Sequence, residues 1–134
     1  MKATLDEGVP DDIVEPLTRL GARVDPFAAE WRGFSNGILL AAVEQGGYEL
    51  LLTSDKNMGF QVNLRRLRLA ILALPTNRRV ILMPRVADIA ATMTLVRAGQ
   101  ALTMGMDGRR FVRAADATGA VVTDDLPRLP PFWR

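Results

Sequence analysis

The sequence contains neither cysteine nor histidine. Without cysteine there is no disulfide, no zinc–thiolate site and no thiol nucleophile. Without histidine the commonest general base, the usual zinc ligand and every Ser–His or Cys–His catalytic pair are excluded. Any catalysis must run on carboxylates, hydroxyls, lysine, arginine or a metal held by oxygen. Lysine is scarce, with 2 residues against 15 arginines. Arginine's planar fork suits phosphate, although the coding bias of a GC-rich genome is the simpler source of the excess. No apolar run reaches the roughly 18–20 residues needed to span a bilayer. The longest, Leu67 to Pro75, carries Arg68. The amino terminus has only a short apolar run before Asp6 and Glu7, unlike a secretory leader. A cytoplasmic location without a membrane partner is the expectation by elimination.

The 134 residues fit one domain. Apolar residues make up 49% of the chain, enough for a core without staples. Formal net charge is +2, and the isoelectric point is near 9.7.

Residues 2–6 read as a short strand that stops at the turn Asp6-Glu7-Gly8. Pro10 opens a helix with Asp11 and Asp12 in its first turn. Ile13, Val14, Leu17 and Leu20 follow at helical spacing, up to Gly21. Ala22 to Asp25 is a second strand, and Ser35 is a good N-cap for a second helix. The three leucines within Glu49 to Thr53 mark a strand buried on both faces, ending at Ser54-Asp55-Lys56-Asn57. A short helix is predicted from Phe60 to about Arg66. Leu69 to Leu74 reads as a central strand, and Val80 to Met83 as a short strand or extended piece. Pro84 opens what reads as the longest helix, Val86 to about Ala98. Ala101 to Met106 and Arg109 to Ala114, split by Asp107-Gly108, form a hairpin. Residues 115–134, with Asp124, Asp125, Pro127, Pro130 and Pro131, read as an irregular tail. Its Phe132 and Trp133 either fold back on the domain or dock elsewhere. The expected organisation is a domain over 1–114 and a tail over 115–134. Its class is a three-layer α/β/α architecture with a mostly parallel central sheet, a C-terminal hairpin and an irregular tail.

In such folds the strand C-terminal ends share one edge, and ligands bind outside it. Asp6 and Asp55 both sit where a predicted strand ends. Asp6 and Glu7 alone fit a capping or solvated turn as well as a metal site. Asp55 alone also fits a turn, with Ser54 or Asn57 as neutral oxygen donors and Lys56 facing a phosphate or its acidic neighbours. Together the two clusters converge. Carboxylates around Mg²⁺ or Mn²⁺ lower the pKa of bound water and stabilise charge on a phosphodiester. That chemistry needs neither histidine nor cysteine. Arg65, Arg66 and Arg68, with Arg78 and Arg79 nearby, suit a nucleic-acid backbone or a solvated helix face. Paired aromatics of an RNA-binding module are not evident, since only Trp31, Tyr48 and Phe60 fall near the supposed site.

Leu5-Asp6-Glu7-Gly8-Val9-Pro10, Phe34-Ser35-Asn36-Gly37-Ile38 and Leu51-Leu52-Thr53-Ser54-Asp55-Lys56-Asn57-Met58-Gly59 occur in the order and spacing of a family of small PIN-like proteins. The chain resembles that family over roughly residues 1–105. The resemblance implies a PIN-type fold and a magnesium- or manganese-dependent ribonuclease, toxin-like and held in check by an antitoxin protein. It also implies RNA as substrate, a homodimer as assembly, and catalysis by Asp6 and Asp55. Metal ligation would fall to Asp6, Glu7, Asp55, Asn36 and Asn57, and RNA contacts to Lys56, Arg65 and Arg66. Asn36 and Asn57 stand where the family usually has acids. Amides offer a carbonyl oxygen without charge, which weakens divalent-ion binding; Glu7 and Glu44 are candidates to compensate. The alternative is a catalytically degenerate PIN-like domain that binds RNA or a protein without cleavage. A phospho-receiver outline also pairs Asp6 and Glu7 with Asp55, but it needs a lysine at a late strand end, and none follows Lys56.

Overall fold

The computed structural model describes residues 1–133. Its centre is a strand, β3 (Leu50–Thr53), in which every residue is buried. Leu50 and Leu52 join one apolar cluster and Leu51 the other, so alternate side chains fill both faces of one sheet. Each fully buried leucine contributes about 1.5–3 kcal/mol relative to exposure. β1 (Lys2–Leu5) and β4 (Ala70–Ala73) flank β3, both parallel to it. β2 (Arg23–Asp25) lies beyond β1, and β5 (Gln100–Met104) beyond β4, again parallel. β6 (Arg110–Ala115) and β7 (Val121–Leu126) then add antiparallel strands. The result is a seven-stranded, mostly parallel sheet of order β2-β1-β3-β4-β5-β6-β7.

One face is covered by α1 (Val14–Arg19), α4 (Arg79–Leu82) and α5 (Val86–Met93), which supply Leu17, Leu82 and Ile89 to a cluster containing Leu5, Leu52 and Leu72. The other face carries α2 (Asn36–Gln45) and α3 (Met58–Gln61), which bring Leu39, Val43 and Met58 against Leu51, Ile71 and Trp31. Ser35 precedes α2 in an extended conformation but makes no side-chain cap bond.

Four expectations are corrected. Val80 to Met83 does not extend as a strand; Arg79–Leu82 is α4. Only one side of this run has a core to face, since Leu82 is buried while Val80 is exposed. A helical turn satisfies that one-sidedness, and Arg79 ties the turn to Asp12 at 2.7 Å. The helix from Val86 stops at Met93 rather than Ala98. Thr94 turns its hydroxyl onto the Ala91 carbonyl at 2.6 Å, competing with the helical ladder. The ten residues of α2 make it the longer helix. The short helix expected over Phe60 to Arg66 lies earlier, at Met58–Gln61. The tail is not irregular throughout, because β7 occupies Val121–Leu126. The preceding turn is closed by the Asp116 carboxylate, which accepts from the Thr118 N–H at 2.8 Å and the Ala120 N–H at 3.1 Å. Gly119 takes the positive φ of 85° that this turn requires.

The end of the chain turns back on its own sheet. Arg110 is only 7% exposed and donates twice to the Pro127 carbonyl, at 3.0 and 2.7 Å, and once to Thr92 at 3.0 Å. The Leu129 N–H reaches the Gly108 carbonyl at 2.9 Å. Arg85 donates to the carbonyls of Pro130 and Pro131 and lies 4.0 Å over the Phe132 ring. Phe132 is buried and Trp133 is exposed.

Candidate functional site

The parallel strands place their C-terminal ends along one edge. In the order β2-β1-β3-β4-β5, chain connections run outward in opposite directions from β1 and β3. A crevice opens at such a switch point, and Asp6 and Asp55 are the acids that follow these two strands. The Asp6 N–H bonds to the Leu52 carbonyl at 2.8 Å, which continues the ladder one residue past β1.

The two acids meet on one hydroxyl. Thr53, fully buried at the end of β3, donates its Oγ1 proton to Asp6 Oδ2 at 2.8 Å. The same oxygen accepts the Asp55 N–H at 3.0 Å. Asp6 Oδ1 accepts the Glu7 N–H at 2.8 Å, so both oxygens of Asp6 are fixed. Asp55 Oδ1 accepts the Asn57 N–H at 2.9 Å. Gly8 lets the two loops approach, because a Cβ there would lie 3.1 Å from Ser54 Oγ. Sequence reasoning selected Asp6 and Asp55 but missed Thr53. Its signal was a polar residue closing a run of three leucines.

The other expected ligands stand differently. Glu7 forms an ion pair with Arg32 at 3.4 Å. Asn36 donates from its side chain to Gln61 Oε1 at 3.2 Å, joining α2 to α3. Asn57 contributes its backbone N–H to Asp55 and is exposed. Glu44 pairs with Arg68 at 3.8 Å. Among the described residues no three side chains of His, Cys, Asp and Glu group to hold a metal ion. Neither Asp6 nor Asp55 has a cationic partner among the described residues, whereas neighbouring Glu7 and Asp12 are both paired, with Arg32 and Arg79. Two carboxylates that follow adjacent strands are thus left without a counter-charge among the described residues, in a loop that also carries the Ser54 hydroxyl. This donor set suits a hard divalent cation more than a soft metal.

Lys56 is half-buried in the same loop, without a carboxylate partner among the described residues. Arg65 does not join the acids. Its Nε donates to the Gly119 carbonyl at 2.6 Å, and it lines a groove of about 450 Å³ with Gly99 and Gln100, where β5 begins. That is the opposite edge of the sheet. Arg66, in the same loop, is exposed.

No family model matches this chain, and neither the curated proteins nor the solved structures contain a match to it. The chemistry of the edge therefore rests on its own residues.

Proposed function

We propose that the chain is a three-layer PIN-like domain that hydrolyses RNA with one Mg²⁺ or Mn²⁺ held between Asp6 and Asp55. The observation carrying this reading is that Asp6 and Asp55, both without a cationic partner among the described residues, sit at the β1/β3 switch point and are tied to one Thr53 hydroxyl, Asp6 by its carboxylate and Asp55 by its backbone N–H. When bound, such an ion would polarise the scissile phosphate and offset charge developing on it. The residues themselves divide the remaining work. Asp6 is locked by the Glu7 N–H and the Thr53 hydroxyl, so its carboxylate is pre-oriented and needs no reorganisation. Asp55 keeps Oδ2 free of hydrogen bonds from the described residues, and that atom takes a proton from an attacking water. Lys56 meets a phosphate oxygen. The toxin role, with an antitoxin protein as partner and a homodimer as assembly, belongs to the same PIN-like reading.

The test is cleavage of a single-stranded RNA with Mn²⁺ or Mg²⁺ by the wild type, Asp6→Ala and Asp55→Ala. Loss of cleavage by about 100-fold or more in both variants is expected. Equal cleavage by all three proteins overturns the assignment.

A second reading is a domain that binds RNA or a protein without cutting. It is favoured by the engagement of Glu7 with Arg32, Glu44 with Arg68 and Asn36 with Gln61, which leaves two acids where the resembling family has more. Metal-independent RNA binding with no cleavage at millimolar Mn²⁺ would select it.

A further inference from the structure

Beside the acid edge lies a surface that the cleavage reading leaves unused. Along β6 alternate side chains face opposite ways. Arg110 and Val112 turn toward α5 and its cluster, so Phe111 and Arg113 project from the other face. There they meet α3. The Phe60 ring lies 6.2 Å from the Phe111 ring at an interplanar angle of 55°. The Arg113 guanidinium sits 4.3 Å over the Phe60 ring and is anchored by a 2.7 Å bond from Nη1 to the Gly59 carbonyl.

We propose that Phe60, Phe111 and Arg113 form a stacking platform for the unpaired bases of an RNA strand on its way to Asp6 and Asp55. The identity of the occupant rests on the RNA reading above. Three observations carry the platform itself. First, Phe60 is 53% exposed, while Met58 and Gly59 in the same four-residue helix are buried. The core therefore has no need of an aromatic ring at this position. Second, the charge suits an anionic strand. Arg113 has no carboxylate partner among the described residues; of the two acids on β7, Asp124 is opposite Val112 and so on the other face, and Asp125, opposite Phe111, is paired with Arg109 at 3.6 Å. Third, the platform adjoins the site. The Phe60 N–H bonds to the Asn57 carbonyl at 2.9 Å, and the Asn57 N–H bonds to Asp55.

Aromatic rings and guanidinium planes are the groups on which splayed-out bases stack, and this stacking tolerates any sequence. A duplex hides its base faces, so the platform discriminates for single strands.

The test uses the full chain in EDTA, where binding is read without cleavage, and measures anisotropy of a short labelled single-stranded RNA. Phe60→Ala and Arg113→Gln are each expected to raise Kd by roughly 5- to 100-fold. Phe60→Trp is expected to bind as the wild type or better, which a purely structural role would not require. The duplex of the same sequence is expected to bind more weakly than the single strand. Circular dichroism confirms that the variants fold. Wild-type affinity in both disrupting variants, equal affinity for duplex and single strand, or no RNA binding by the wild type overturns the platform. Cleavage with Mn²⁺ is scored separately. Platform-dependent binding without cleavage removes the nuclease reading and keeps the platform, whereas cleavage unaffected by Phe60→Ala and Arg113→Gln does the reverse.

Discussion

Replacing Thr53 with valine removes a single oxygen from the protein and tests how the acid edge is held together. Valine matches the shape of threonine, so the buried strand end stays filled. What is lost is the donor to Asp6 Oδ2 at 2.8 Å and the acceptor for the Asp55 N–H at 3.0 Å. A hydrogen bond to a charged group is worth about 1.5–3 kcal/mol, and an amide left partly unsatisfied costs about another 1 kcal/mol. Asp6 and Asp55 are half-buried, so water replaces part of both contacts. The net expectation is a loss of about 2–3 kcal/mol. For a chain of this size that corresponds to a fall of about 10 °C in Tm. Urea denaturation should show a lower midpoint with an unchanged slope, since the surface exposed on unfolding is the same. A double-mutant cycle with Asp6→Ala should return a coupling of about 1–2 kcal/mol. A loss below about 0.5 kcal/mol, or a cycle that sums to zero, refutes the bridge as a structural link between the two acids.

Tyr48 is the only tyrosine, and its hydroxyl donates to Asp25 Oδ2 at 2.6 Å. That bond, then burial and the Asp25 charge, push its pKa up to about 12. The folded state thus holds this proton more tightly than the unfolded state, whose value is near 10. Stability from this pair is fully present below pH 10 and is lost as pH rises toward 12. Absorbance titration should place the tyrosinate midpoint near 12 in wild type and lower in Asp25→Asn; a midpoint near 10 in both contradicts the contact. Phe132→Ala should lower stability by about 3–4 kcal/mol in urea denaturation, because a buried ring leaves the core; a surface-like loss below about 0.5 kcal/mol would show that the chain end is not docked. Gly108 has φ 91°, and a Cβ there would lie 2.0 Å from the Leu129 carbonyl oxygen. Gly108→Ala should therefore detach the returning chain end, which limited proteolysis reads as new cleavage near Leu129; an unchanged digest contradicts it.

Several elements were legible because local pattern and tertiary demand agreed. Leu50, Leu51 and Leu52 announced a strand buried on both faces, and the acids after β1 and β3 marked where those strands leave the sheet. What stayed hidden depended on partners far away in sequence. Val80 and Ile81 carry strand propensity, yet the run has a core on one side alone, which Leu82 enters and Ile81 and Met83 pack against while Val80 is exposed, and a helical turn resulted. The acids and prolines after Ala120 suggested an irregular tail. β7 forms because the Asp116 turn returns the chain alongside β6, with Asp124 and Asp125 left in water. Exposed acids on an edge strand also discourage pairing with other chains. The turn signal, Asp116 through Gly119, was present in the sequence. Thr53 could be named as polar but not as the joint between Asp6 and Asp55, since its second partner lies 47 residues away. The same limit hid the Phe60 and Phe111 pair, which only the sheet order brings together. Arg65 showed the converse. It was close to the acids in sequence, but the chain returns to the start of β4 before continuing, and this carries Arg65 to the far edge.

Calorimetric titration of the metal-free chain with Mn²⁺ bears most directly on whether Asp6 and Asp55 form a cation site. Two carboxylates and neutral oxygens should bind one ion per chain with a Kd on the order of 0.1 mM. Asp6→Ala and Asp55→Ala should each abolish the heat, while Glu44→Gln leaves it intact. Binding that survives both aspartate substitutions, or no heat in the wild type up to several millimolar Mn²⁺, contradicts the proposed site.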